Sequence, residues 1–454
     1  MNISQFTHIY LLGIGGIGMS ALARYFMAND KIVAGYDRTA SPLTQLLENE
    51  GADIHFEDDL KKINPAFLNK NQVLVIYTPA VPATHKEFNY FKANAFTLLK
   101  RSQVLGILSR DKNCIAIAGT HGKTTVSSMT AHILNNGTGC NAFLGGIASN
   151  YNSNLIINEN SPNLVVEADE FDRSFLQLFP NIALITSMDA DHLDIYSNHQ
   201  GLAESFQKFV DQIQENGQLL VKFGLEKHLK TKQKVYTYSL NHADADFKIE
   251  NLQLGDGNYQ FTILGPSLKI EKVSVGMPGK LNVENALAAA AAAHLNGENS
   301  EIIKKSLATF KGVKRRMEYI IKRKDLVYID DYAHHPEELK ASILSVKELY
   351  PDKKLTGIFQ PHLYSRTRDF LDDFAASLAL LDRLILLEIY PAREEPIAGI
   401  NSQLLLDKTK LKDKILLTKE QLIPYLKDKK PELILSLGAG DIDRLVEPIK
   451  TVFA

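Results

Sequence analysis

The most constraining feature of this sequence is that short β-rich runs alternate with helix-length segments along almost the whole chain. This alternation is typical of parallel sheets covered by helices on both faces, so it predicts an α/β fold. Glycine marks the turn from strand to helix at residues 11–18, 116–125 and 435–441. Because 454 residues are about three times the usual size of one domain, we expect several packed domains.

The alternating pattern falls into three units. The first, residues 1–108, begins with the strand His8–Leu12, a glycine turn and a helix to about Ala28. The second, residues 109–312, contains the second glycine turn and ends in an alanine-rich helix at about 283–294. The third, residues 313–454, carries four further strands with helices between them.

Composition excludes several classes of protein. The net charge is −2, and lysine and arginine are mixed with acids along the chain, so no basic surface for nucleic acid is expected. Two cysteines, Cys114 and Cys140, are too few for a disulfide framework or a cysteine metal site. The apolar stretch at 9–23 is interrupted by four glycines and preceded by no lysine or arginine, which argues against a signal peptide. We therefore expect a cytoplasmic protein without a membrane anchor.

The second glycine turn predicts a phosphate site, because it follows an apolar strand and opens a helix. Its residues are Gly119, Thr120, His121, Gly122, Lys123, Thr124 and Thr125. Lys123 would hold terminal phosphates, and the Thr124 hydroxyl would bind magnesium. Two residues rather than four separate the glycines, so a tight turn with a solvated lysine is the simpler alternative; the strand and the helix start favour phosphate.

Acidic residues end the two strands that follow. In the run 167–170 the strand period of two places Glu167 and Asp169 on one face, where a carboxylate could lie beside magnesium. The run 187–194 adds three acids and His192, a possible ligand of a second ion. Solvated acids at strand ends, or a capped helix start, are the structural alternatives.

The first glycine turn resembles the glycine-rich motif of dinucleotide-binding domains. It consists of Gly13, Gly15, Gly16 and Gly18, with Asp37 nineteen residues beyond as a candidate ligand of a ribose hydroxyl. The pattern indicates a diphosphate at a helix N-terminus, which either NAD or a UDP-sugar could supply. A second phosphate loop favours the UDP-sugar, because a dehydrogenase has no need of one.

Polar clusters end two strands of the third unit, at residues 330–336 and 360–368. The carboxyl ends of parallel strands meet at one edge, so we expect these clusters to lie close together. His334 is a candidate general base, and Arg366 could hold a phosphate or carboxylate. The alternative is a pair of helix caps with exposed charges.

As a set, these motifs resemble the Mur ligases over nearly the whole chain. The resemblance rests on the segments 13–20, 119–125, 167–170 and 191–194, while the segments 330–336, 359–362, 390–396 and 438–441 resemble the branch that adds L-alanine. It implies a Rossmann-like UDP-sugar domain at 1–108, a central P-loop ATPase domain at 109–312 and a Rossmann-like amino-acid domain at 313–454. The implied reaction is phosphorylation of the lactyl carboxylate of UDP-N-acetylmuramate by ATP, followed by attack of the amine of L-alanine on the acyl phosphate.

The resemblance also implies roles for particular residues. Lys123, Thr124, Glu167 and His192 match the phosphate and magnesium site, Asn285, Arg316 and Asp331 match nucleotide contacts, and His334 and Arg366 match residues near the amino acid. The sequence departs from the family's pattern at Leu363, Phe171 and Ser187, where arginine, serine and asparagine are common. The implied cofactors are ATP and Mg²⁺, and the implied assembly is a monomer or weak homodimer. Alternatives are a ligase that adds a whole tripeptide, an NAD-dependent oxidoreductase and a non-catalytic UDP-sugar-binding protein.

Overall fold

The structure, a computed structural model, describes residues 3–189, 199–255, 258–392 and 394–453. These residues form three sheets with helices between the strands, which confirms the predicted α/β fold. The chain packs into two compact units. The first contains Met1–Glu250, Thr262–Glu271 and Asn285–Leu307; the second contains Asn251–Phe261, Lys272–Glu284 and Ala308–Ala454.

The N-terminal sheet has five parallel strands in the order β3-β2-β1-β4-β5. They are β1 (His8–Leu12), β2 (Ile32–Tyr36), β3 (Asp53–His55), β4 (Val73–Tyr77) and β5 (Thr97–Lys100), and the helices are α1 (Ile17–Ala28), α2 (Pro42–Asn49), α3 (Lys86–Ala93) and α4 (Arg101–Arg110). Strand β1 is buried on both faces: Ile9 and Leu11 belong to one apolar cluster, and Tyr10 and Leu12 belong to another. Such continuous apolar strands are expected when helices cover both sides of a parallel sheet.

The central sheet has ten strands in the order β15-β14-β13-β12-β11-β10-β6-β9-β7-β8. They are β6 (Asn113–Ala118), β7 (Asn141–Ala148), β8 (Ser153–Ile156), β9 (Asn163–Glu167), β10 (Ile182–Ile185), β11 (Gln218–Lys222), β12 (Lys234–Ser239), β13 (Phe247–Gly255), β14 (Asn258–Gly265) and β15 (Leu268–Ser274). The helices are α5 (Lys123–Asn135), α6 (His199–Val210), α7 (Lys280–Leu295) and α8 (Ser300–Thr309). Strand β6 pairs in parallel with β9 and β10, so the ends of these three strands meet at one edge.

The N-terminal and central sheets share one apolar core within the first unit. Helix α1 packs on β7, where the rings of Tyr25 and Phe143 lie 5.4 Å apart. On the same helix, Arg24 donates a hydrogen bond of 2.8 Å to the side chain of Asn154 on β8. Helix α1 of the N-terminal sheet is therefore held against the central sheet.

The C-terminal sheet has six strands in the order β16-β17-β21-β18-β19-β20, and β16 is antiparallel to its neighbour. They are β16 (Glu318–Lys322), β17 (Val327–Asp331), β18 (Leu355–Phe359), β19 (Arg383–Leu386), β20 (Lys414–Leu416) and β21 (Leu433–Leu437). The helices are α9 (Pro336–Leu349), α10 (Tyr364–Asp369), α11 (Leu371–Leu378), α12 (Ser402–Lys408), α13 (Lys419–Lys429) and α14 (Val446–Phe453). Among the residues that the structure describes, no helix combines the length and apolar character that a bilayer crossing requires.

Candidate active site

The first glycine turn joins β1 to α1 and is closed by Asp37. Gly13 has φ = +87°, a conformation that favours glycine, and its N–H donates to the Tyr36 carbonyl at 2.8 Å. Asp37 accepts hydrogen bonds from the N–H of Gly15 at 2.8 Å and of Thr39 at 3.3 Å. The structure thus places Asp37 at the turn, as the spacing predicts. Its carboxylate binds the backbone N–H of Gly15 there.

The remaining glycines of this turn allow close packing. Gly16 precedes the first turn of α1, and a Cβ atom on Gly18 would lie 2.4 Å from an Nη atom of Arg101. A Cβ on Gly15 would lie 2.9 Å from the Asp37 carboxylate. Side chains at these positions would therefore displace charged groups that border the helix N-terminus.

The phosphate loop joins β6 to α5 as predicted. Gly119 and Gly122 have φ = +131° and +82°, and a Cβ on Gly119 would lie 2.2 Å from the Thr186 hydroxyl. Helix α5 starts at Lys123, so Thr124 and Thr125 lie in its first turn, where both are buried. This geometry is the one by which backbone N–H groups and a lysine surround phosphates.

Lys123 is paired with a buried carboxylate. Its ammonium nitrogen donates to the Gly119 carbonyl at 2.7 Å and lies 3.0 and 2.9 Å from the two carboxylate oxygens of Glu170, which has no exposed surface. Burial by itself lowers the pKa of Lys123, but the charges of Glu170, Glu167 and Asp169 outweigh it and raise the pKa. The lysine is therefore held charged and in place. Sequence analysis missed this role of Glu170; its one signal was its place in the acidic run after β9.

The end of β10 fixes the phosphate loop from the other side. The N–H of His121 donates to the Ser187 hydroxyl at 2.8 Å, and the N–H of Asp189 donates to the Thr120 hydroxyl at 2.9 Å. Ser187, a departure from the family pattern, thus still binds the loop. Asn285 on α7 also lies here, since its amide oxygen is 3.0 Å from the position that a Cβ on Gly122 would occupy.

Two predicted magnesium ligands lie at neighbouring strand ends. Glu167 ends β9 and accepts a hydrogen bond from the Gly145 N–H at 3.0 Å, while Thr124 follows the adjacent strand β6. Carboxylate and hydroxyl oxygens are the donors that Mg²⁺ prefers, so this set fits the ion. Within the described ranges, no group of three His, Cys, Asp or Glu side chains has metal-ligand geometry. The third predicted ligand, His192, lies outside the described residues.

In the second unit, the structure brings Arg316 and Asp331 together. The carboxylate of Asp331 accepts hydrogen bonds from the Ser342 hydroxyl and, at 3.4 Å, from the Met317 N–H. Burial raises the pKa of Asp331 to about 6, although the Ser342 hydrogen bond and the Arg316 charge oppose the rise. The Arg316 guanidinium lies 5.0 Å from the centre of the Tyr332 ring.

His334 and Arg366 meet at the same edge through His362. The rings of His334 and His362 lie 6.2 Å apart, and an Nη atom of Arg366 lies 3.5 Å from Nδ1 of His362. Strand β21 separates β17 from β18, so the two clusters converge from either side of it. Burial lowers the pKa of His334, the Arg366 charge adds to this effect, and the same causes lower the pKa of His362 to about 4. Burial and the Arg366 charge thus favour the neutral form of both imidazoles, although the Glu338 charge opposes this at His334.

The loop after β19 orients the helix that carries Arg366. Glu394 accepts hydrogen bonds from the hydroxyl and, at 3.0 Å, from the N–H of Ser365 in the first turn of α10. Leu363 precedes this helix with φ = +72°, a strained conformation for a non-glycine residue, and its N–H donates to the Tyr390 carbonyl at 3.0 Å. Glu394 belongs to the segment 390–396 that resembles the family, but the sequence did not predict its contact with Ser365, which is distant along the chain.

Comparison with known proteins agrees with this geometry. Residues 8–113 match the family model described as Mur ligase family, catalytic domain; residues 117–293 match the Mur ligase middle domain; and residues 315–440 match the Mur ligase, glutamate ligase domain. A UDP-N-acetylmuramate–L-alanine ligase of Parabacteroides distasonis is 53% identical, over 100% of this chain and 98% of its own length.

Solved structures show the same architecture. The UDP-N-acetylmuramate-alanine ligase of Thermotoga maritima is 26% identical and superposes with a TM-score of 0.82, covering 98% of this chain and 99% of its own. A MurF ligase of the same organism, solved in complex with ADP, is 16% identical with a TM-score of 0.63 over 94% and 96% of the two chains, a likeness of fold alone. Through its family matches, its full-length relative and its fold, the chain belongs to the Mur ligase family.

Proposed function

We propose that this chain is an ATP-dependent ligase that joins L-alanine to the lactyl carboxylate of UDP-N-acetylmuramate. The observation that carries the proposal is the presence of two glycine turns in one unit, each opening a helix: one at Gly13–Gly16 and one that ends at Lys123. One turn suits the diphosphate of a UDP-sugar and the other suits the phosphates of ATP. The names of the full-length relatives support these substrates.

Residues of the first unit would carry the phosphoryl transfer. Lys123 compensates the charge of the terminal phosphates, and the N–H groups of the loop surround them. Thr124 and Glu167, with His192, would hold Mg²⁺, which when bound would neutralise charge on the transferred group. A lactyl carboxylate oxygen attacks the γ-phosphorus, the bond to the β–γ bridging oxygen breaks, and ADP leaves.

Residues of the second unit would handle the amino acid and part of the nucleotide. Arg366 presents a planar fork for the alanine carboxylate, and the neutral His334 accepts a proton from the amine as its nitrogen attacks the acyl carbon and phosphate leaves. Arg316 and Asp331 would contact ATP. We further propose that the domains are residues 1–108, 109–312 and 313–454, for the UDP-sugar, ATP and amino acid respectively.

Phosphate release provides the test. The enzyme is incubated with UDP-N-acetylmuramate, ATP and Mg²⁺, and each amino acid is supplied in turn. Release that depends on L-alanine supports the proposal. Release only with the tripeptide L-alanyl-γ-D-glutamyl-meso-diaminopimelate would instead identify a recycling ligase. A change in NADH fluorescence without any phosphate release would favour an oxidoreductase, and binding of the UDP-sugar without release would favour a binding protein.

A further inference from the structure

A small cavity within the first unit joins the first glycine turn to the end of the acidic strand β9. Its volume is about 160 Å³. Gly18, Arg101, Glu167 and Asp169 are among the residues that line it. This cavity is distinct from the phosphate loop, none of whose residues lines it.

Of the described residues that line this cavity, Arg101 is the one cation. It is the first residue of α4, directly after β5. Its guanidinium lies against Gly18, where a Cβ would be 2.4 Å from Nη1 and 3.1 Å from Cζ. Among the described residues it has no hydrogen bond, ion pair or ring contact, although two acids line the same cavity. A half-buried guanidinium without a protein partner has lost part of its hydration without gaining hydrogen bonds in return. An anionic ligand would supply those hydrogen bonds.

Apolar residues also line the cavity. Among them are Ile17, Leu105 and Phe143, so part of the surface around a bound ligand is hydrocarbon. In such surroundings a bidentate contact between guanidinium and carboxylate is stronger than at an open surface.

We infer that Arg101 binds the lactyl carboxylate of the nucleotide-sugar substrate and holds it at the end of β9; this inference rests on the proposed function. The diphosphate belongs to the turn at Gly13–Gly16, whereas the carboxylate has to reach the strand end beside Lys123 and Glu170 to accept a phosphoryl group. The cavity lies between these two places, because its lining includes Gly18 at the start of α1 and Glu167 and Asp169 at the end of β9. Its size suits a carboxylate with its lactyl methyl group, and the planar fork of arginine matches the two carboxylate oxygens.

Two ligands that differ in the lactyl group distinguish binding of the lactyl carboxylate by Arg101 from binding of the diphosphate. UDP-N-acetylmuramate carries that group, and UDP-N-acetylglucosamine lacks it. Calorimetry without ATP measures both affinities for the wild type and for Arg101→Met, which removes the charge but keeps an unbranched side chain. We expect the variant to bind UDP-N-acetylmuramate about 10- to 100-fold more weakly, the range for a charge-assisted contact, with unchanged affinity for UDP-N-acetylglucosamine.

Arg110→Met is the matched control. Arg110 ends the same helix and lies 4.2 Å from the Phe179 ring, so its replacement should leave both affinities unchanged. Arg101→Lys keeps the charge without the fork and should show a smaller loss, again for UDP-N-acetylmuramate alone. It supplies the test if thermal unfolding shows that Arg101→Met is misfolded.

The outcomes separate the two proposals. An equal loss for both ligands would assign Arg101 to the diphosphate and overturn the inference, and so would an unchanged affinity for UDP-N-acetylmuramate. If the wild type itself did not bind UDP-N-acetylmuramate, the proposed function would fail before Arg101 was tested.

Discussion

The ammonium nitrogen of Lys123 lies 2.9 Å from the carboxylate of Glu170, a side chain with no exposed surface. The pair lies at the start of α5, where the phosphate loop ends. A buried carboxylate thus balances the lysine charge before any phosphate arrives. Removal of one partner leaves the charge of the other buried and unpaired, which strongly lowers the stability of the folded protein.

We expect Lys123→Met to abolish phosphate release and to lower the free energy of unfolding by about 3 kcal/mol. Lys123→Met combined with Glu170→Gln should recover most of that stability, because no charge is then left unpaired, but it should not recover release. Urea unfolding and a phosphate assay measure the two effects separately. Near-normal turnover in the single variant would remove Lys123 from the phosphate site.

Glu167→Gln should weaken catalysis that depends on magnesium more than it weakens binding of UDP-N-acetylmuramate. A neutral amide is a poorer ligand for a hard divalent ion, while its oxygen still accepts the hydrogen bond from the Gly145 N–H. Phosphate release is measured across a magnesium titration, with calorimetry of the UDP-sugar as the control. An unchanged magnesium dependence would place the metal elsewhere, for example at Asp189, or at Asp191, which lies outside the described residues.

Arg366→Lys should raise the KM for alanine with little change in the KM for ATP. Lysine lacks the planar fork of arginine, so it binds a carboxylate less well. Loss of a contact that is equally strong in the ground and transition states raises KM and leaves kcat unchanged. Arg368→Lys is the matched control, since Arg368 lies on the same helix, is half exposed and pairs with Asp369. His334→Ala should instead lower kcat.

Steady-state kinetics of these variants separate the possible roles of Arg366. An ATP effect as large as the alanine effect would reassign this arginine to the phosphates. Because Leu363 stands where arginine is common, His362 is a further candidate to bind the carboxylate, since its Nδ1 lies 3.5 Å from Arg366. His362→Ala should then add to the loss of alanine affinity without altering the ATP requirement.

Glu87→Gln should stabilise the protein at alkaline pH. Burial raises the pKa of Glu87 to about 7, against an opposing hydrogen bond of 2.8 Å from the Tyr10 hydroxyl. Between pH 4.5 and 7 the folded state therefore binds a proton that the unfolded state has lost, so stability falls as pH rises through this window. A glutamine side chain does not titrate, but its amide oxygen still accepts the hydrogen bond from the Tyr10 hydroxyl.

The difference in free energy of unfolding between this variant and the wild type should grow by roughly 2 kcal/mol from pH 5 to pH 8. Urea unfolding at a series of pH values measures it. Nε2 of His55 lies 3.4 Å from the Glu87 carboxylate, so the same comparison is repeated in a His55→Gln background, which removes the titration of His55. A difference that stays constant with pH would show that Glu87 is ionised throughout.

Local signals in the sequence were sufficient for the fold class and for both glycine turns. The strand β1 and the helix α1 fall where the apolar run and the glycines predict them, because strand and helix periods and positive φ angles are properties of short segments. The acids after β9 could likewise be assigned to a strand end. In each case the chemical inference needed only residues that are near one another along the chain.

The tertiary structure decided which of these residues meet. Lys123 meets Glu170 because β6 and β9 are neighbours. His334 and Arg366 come to the same sheet edge because β17 and β18 both pair in parallel with β21. Arg101 lies against Gly18 only because α4 returns beside α1. Strand order and helix docking depend on burial of apolar faces from distant segments, and no local pattern of residues contains that information.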